Sequence, residues 1–166
     1  MRKNRYKPYA ILLIVICIII SYMILNILKP IDKKYEKVLN ENIIDLTSIC
    51  DYLKSFDCDV RWDIYYTYNM KCYYKNGNSY VSEKKAVEDR NIINSLDHLS
   101  QKKFKNILKE SNYILFVKNS SLNSSYGLIF STNGEKPEID ENENGTTEIK
   151  NLPYKDWYMY KHHMKW

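Results

Sequence analysis

The sequence predicts an α+β fold: an N-terminal transmembrane helix followed by a small domain whose antiparallel sheet packs against two or three helices. Three observations predict it. Tyr9 to Leu28 is an uncharged, mostly apolar run. From Ile31 to Phe56 apolar residues recur at steps of three and four. Later segments either alternate apolar with polar residues or run apolar for a few positions between Asn-Gly dipeptides. The corresponding organisation is a basic tail over 1–8, a spanning helix over 9–28, an amphipathic helix over 29–57 and an α+β domain over 58–166.

A helix of the length of Tyr9 to Leu28, at about 1.5 Å per residue, matches a hydrocarbon core of roughly 30 Å. The run shows neither an A-x-A-like cleavage site nor a small residue before Cys17, where Ile16 stands. An uncleaved anchor is therefore expected, with the lipid bilayer as partner. Arg2, Lys3, Arg5 and Lys7 precede the run; Lys29, Lys33, Lys34 and Lys37 follow it, diluted by Asp32 and Glu36. The compact basic tail favours an N-terminus inside and the domain outside.

After Pro30, the apolar positions Ile31, Tyr35, Val38, Leu39, Ile43, Leu46, Ile49, Cys50, Leu53 and Phe56 form one helical stripe. The heptad phase is not sustained, which favours a helix packed on its own sheet over a coiled coil. From Val60 to Tyr74 the period becomes two, as in a half-buried strand that folds over near Asn69. Asn76-Gly77 is a turn signal, and Tyr80-Val81 a short returning strand. Between Ser82 and Glu110 helical spacing returns, first in Ile92, Ile93, Leu96 and Leu99. Phe104, Ile107 and Leu108 then suggest a second helix capped by Ser100. Tyr113 to Val117 reads as a buried strand, Tyr126 to Ser131 as its partner and Trp157 to His162 as the last strand.

Net charge is +5. Removing the four basic residues of the tail leaves about +1 for the rest, which argues against nucleic acid as a partner. The abundance of Lys, Asn, Ile and Tyr, with only four glycines, follows nucleotide composition before function.

Asp140, Asn142, Asn144 and Gly145 match the opening of an EF-hand calcium loop, and Glu148 adds a further oxygen. The twelfth position is Asn151 rather than glutamate, Thr147 replaces an aliphatic residue, and Pro137 and Pro153 flank the loop. A solvated hairpin loop is the better reading. Cys50, Cys58 and Cys72 fit neither C-x-x-C nor zinc spacing and read as buried thiols, with Cys58 to Cys50 or Cys72 as the conceivable disulfide. His162 and His163 are adjacent, so on a strand they face opposite ways, and His98 stands alone on a helix. Three sequons, at Asn119, Asn123 and Asn144, carry little weight in an asparagine-rich chain. No nucleophile elbow, zincin helix or phosphate loop is present. The expectation is a non-catalytic extracytoplasmic binding or accessory module on a single anchor, without a cofactor and with a protein partner in the envelope. The alternatives are an anchored hydrolase using His162 or His163, and a structural subunit pairing through its spanning helix.

Overall fold

The computed structural model describes residues 14–21, 31–64, 68–76, 79–120, 124–139 and 145–164. The chain divides into two units, Met1–Lys34 and Tyr35–Trp166. In the first, residues 14–21 form a helix, α1. Among the described residues no helix is long and apolar enough to cross a membrane. This corrects the expected transmembrane helix, and with it the single-pass assignment and the placement of the domain outside. The other positions of that run, 9–13 and 22–28, lie outside the described residues.

The second unit is mainly sheet. Helix α2 (Ile31–Lys54) buries Tyr35, Leu39, Asn42, Leu46, Ile49, Cys50 and Leu53, one face at steps of three and four. Strands β1 (Asp59–Asp63), β2 (Asn69–Asn76) and β3 (Ser79–Ala86) follow. Helix α3 (Arg90–Gln101) is capped by Asp89, whose carboxylate accepts from the Asn91 amide at 2.8 Å, and buries Ile92, Ser95, Leu96 and Leu99. Then come β4 (Asn106–Lys109), β5 (Tyr113–Ser120), β6 (Ser124–Ser131), β7 (Gly145–Asn151) and β8 (Trp157–Met164). All neighbours are antiparallel, in the order β3-β2-β1-β4-β5-β6-β8-β7.

Among the described residues the sheet has eight strands, and it dominates the domain more than the expected small sheet packed against two or three helices would. Besides β3, which extends the short return expected at Tyr80-Val81 to Ser79–Ala86 where helical spacing was expected from Ser82, two differences account for this. The second helix expected at Phe104 to Leu108 does not form: Lys103 takes a left-handed conformation (φ 68°) and ends α3, and Asn106–Lys109 is strand β4. The Phe104 amide donates to the Leu99 carbonyl at 3.0 Å and the Lys103 amide to the Ser100 carbonyl at 2.9 Å, the pattern of a Schellman cap. The second difference lies in the segment read as a loop before Trp157, where Gly145–Asn151 pairs along β8 as an edge strand.

Side chains alternate across each strand, so the sheet has two faces with separate cores. Val60, Trp62, Met70, Cys72, Ile107, Phe116, Leu128 and Met159 join the buried stripes of α2 and α3 in the larger core. On the other face Tyr113, Leu115, Val117, Ile129, Tyr158 and Tyr160 form a smaller core, against which Leu108, Ile139 and Ile149 pack. The smaller core lies over β5, β6 and β8, and leaves the same face of β1, β2 and β3 without a cover among the described residues.

Candidate functional site

The residues singled out in the sequence do not converge. Asp140, Asn142 and Asn144 lie outside the described residues. Gly145 opens β7 and Asn151 closes it, so Thr147 and Glu148 sit on an extended strand and face opposite ways. Glu148 is engaged by Lys150, Nζ to Oε1 2.8 Å, and this bond holds its carboxyl below the usual carboxylate range. Thr147 Oγ1 lies 2.9 Å from His162 Nδ1. His163 is on the opposite face of β8. On the helix side of the sheet His98 Nδ1 meets Asp45 Oδ2 at 2.5 Å and ties α3 to α2. Among the described residues no group of three or more His, Cys, Asp or Glu is placed to hold a metal ion.

The three cysteines of the domain are free thiols, all buried. Cys58 and Cys72 are hydrogen-bonded to each other; burial first, and then this bond, push the Cys72 thiol up to about 11. Burial also pushes Cys50 up. Protonated, enclosed thiols of this kind are poor nucleophiles.

A different constellation appears once the strands are in register. Lys71 stands directly opposite Arg61 across β1–β2, and directly opposite Lys84 across β2–β3. Residues paired in this way point to the same face. Arg61, Lys71 and Lys84 therefore form one row across three adjacent strands. The row continues through Leu108, Leu115 and Ile129 to Tyr158 and Asn151. One half of this face is thus cationic and open, the other apolar and covered. All three cations are exposed, and none is in an ion pair among the described residues.

The surroundings of the row are specific. The Arg61 guanidinium lies 5.4 Å from the centre of the Tyr73 ring. Two shallow depressions flank this stack and share Arg61, Tyr73 and Leu108. The larger, about 440 Å³, is completed by Asp59, Tyr80 and Glu110. The smaller, about 320 Å³, is completed by Asp63, Asn69, Lys71 and Asn106. Asp59 and Asp63 are the next residues on this face of β1, so acids stand at both ends of the Arg61 position. The site accordingly combines a cation row, an aromatic ring and an apolar border at Leu108.

Arg61 and Lys71 were visible in the sequence only as the polar partners of the period-two alternation. Their juxtaposition depends on the registers of two hairpins, which no local signal carries. Lys84 falls in a segment that reads as the approach to a helix. No protein family, curated protein or solved structure matches this chain.

Proposed function

We propose that the domain is a non-catalytic binding module that takes up an anionic partner on the open face of β1, β2 and β3. The row Lys84–Lys71–Arg61 carries this reading. Like charges directly opposite on a ladder destabilise a sheet by roughly 0.2–1 kcal/mol per pair, and two such pairs occur side by side here. A bound anion turns that repulsion into attraction. Arg61 offers a planar fork suited to carboxylate or phosphate oxygens, while the two lysines act as point charges. Tyr73 and Leu108 supply flat and apolar contact beside them. The reading needs no nucleophile, general base or metal.

The test is a titration of the full chain, at low ionic strength, with citrate, inorganic pyrophosphate and poly-L-glutamate, followed by amide chemical shifts. At least one should move resonances of Arg61, Lys71, Tyr73 and Lys84 together, and Lys71→Glu should abolish the shifts. Silence from all three, or shifts that persist in the variant, would overturn the proposal.

A further inference from the structure

We infer that β3 is a strand-addition site, and that the partner is an extended acidic polypeptide pairing along its free edge. The inference rests on the anion-binding reading above and identifies the ligand class.

The first observation is the edge itself. Among the described residues β3 ends the strand order and pairs with β2 alone, over a continuous register from Asn69↔Ala86 to Asn76↔Ser79 without a bulge. Every residue of it is exposed except Lys85, which is half-buried. Exposed edges are normally blunted by shortness, proline, a bulge or charge. β3 runs the full length of its neighbour and contains no proline, so charge is the one device it uses. The opposite edge, β7, differs: Glu148 and Lys150 on that strand neutralise each other at 2.8 Å.

The second observation is where the charges of β3 point. Lys84 faces the open side, at the end of the cation row. Lys85 faces the helix side together with the exposed Glu83, and its Nζ lies 5.6 Å from the Tyr74 ring centre and 5.3 Å from that of Phe56. A strand added to this edge places a residue directly opposite Lys84 and, one step along, a residue on the other face opposite Lys85. The residue opposite Lys84 becomes the fourth member of a row whose other three are cations. A carboxylate there is attracted by all three; a lysine is repelled by all three. Tyr80 and Val81, 63% and 53% exposed, present apolar surface to the rest of the incoming strand.

The charges therefore select rather than merely block. Simple gatekeeper charges refuse every strand; on the open face, where Lys84 ends the cation row, the edge refuses basic strands and admits an acidic one, while Glu83 and Lys85 offset each other on the helix side. Main-chain hydrogen bonds supply the affinity in this mode, and the row supplies the specificity.

The experiment uses the full chain and three synthetic octapeptides: alternating Glu-Thr, alternating Lys-Thr, and the Glu-Thr peptide with every amide N-methylated. Amide hydrogen exchange over 79–86 is the readout. The Glu-Thr peptide should slow exchange there at least tenfold, and the Lys-Thr peptide should have no effect. The N-methylated peptide should bind at least tenfold more weakly, and Lys84→Glu should exchange the preferences of the two charged peptides. If the N-methylated peptide binds as well, shifting Arg61 and Lys71 without protecting β3, strand addition is overturned while the anion reading stands. If no peptide and no small anion binds, both fall. Protection of β3 in the free protein by self-association would also overturn the inference, since the occupant would then be a second copy.

Discussion

Asn42 sits on the buried face of α2, 2% exposed, where its amide nitrogen donates to the Val38 carbonyl at 2.6 Å. Its Oδ1 is buried without a protein partner. A buried acceptor left unsatisfied costs about 1–3 kcal/mol, so Asn42→Leu should stabilise the domain by about 1–2 kcal/mol, read from urea denaturation midpoints. A loss of stability would show that the amide contributes more than its orphaned oxygen costs. Cys72 makes a second prediction at this scale. Its thiol is raised from 9.0 to about 11, by burial first and the Cys58 bond second. Below pH 9 both folded and unfolded chains hold this proton. Between 9 and 11 the unfolded chain releases it first, so folding stability falls as pH rises through that window. Burial raises the Cys50 thiol and the Tyr35 hydroxyl as well, adding to the decline above pH 9. Denaturation followed from pH 7 to pH 11 should show a fall of roughly 1–3 kcal/mol, and Cys72→Ala should flatten part of it. The sequence showed these thiols as apolar-face residues; that Cys58 meets Cys72 and leaves Cys50 apart came from the β1–β2 register.

Two backbone positions, one at the end of a helix and one inside a strand, are informative at the scale of the element. Lys103 occupies the left-handed position of the α3 cap, which a glycine would hold without a Cβ penalty. Lys103→Gly should raise stability by about 1 kcal/mol, the approximate excess of that conformation for a residue with a side chain. Because the chain spends none of its four glycines there, the usual stop signal is missing, and the apolar spacing of Phe104, Ile107 and Leu108 reads as more helix. Gly127 on β6 shows the opposite case, for its glycine is required. A Cβ there would run into the Phe116 carbonyl oxygen across the β5–β6 ladder, beside the register shift between Val117 and Asn119. Gly127→Ala should destabilise by about 1–3 kcal/mol through overpacking. Chemical denaturation of both variants checks the pair, and unchanged midpoints would remove these accounts of the α3 cap and the β5–β6 approach.

At the scale of the whole molecule the sheet carries an uneven distribution of charge. The open half concentrates Arg61, Lys71 and Lys84 in one row, while the covered half buries tyrosine and aliphatic side chains. Repulsion along the row is screened over a Debye length of roughly 8–10 Å at moderate salt and about 3 Å at 1 M. Stability should therefore rise between 20 mM and 500 mM sodium chloride, while anion uptake weakens over the same range. Lys71→Glu should raise stability at low salt by about 0.5–1 kcal/mol and remove most of the salt dependence, even as it abolishes binding. A variant both less stable and still able to bind would contradict the assigned role of the row.

The sequence by itself determined the elements whose signal is local. The stripe from Tyr35 to Leu53 follows the helical period, the alternation from Val60 to Tyr74 follows the strand period, and the apolar run from Tyr113 to Val117 is a strand buried on both faces. It did not determine the bilayer-spanning helix expected of the first unit, since no described helix is long and apolar enough to cross a membrane. The tertiary structure alone decided the eight-strand order, the replacement of the helix expected at Phe104 to Leu108 by strand β4, and the row of cations. The physical reason is the range of the interactions. Periodicity reports which side of an element faces a core, and it is encoded within a few residues. Register and strand order depend on pairing between residues distant in the chain, so Lys71 finds Arg61 and Lys84 only when the sheet is assembled.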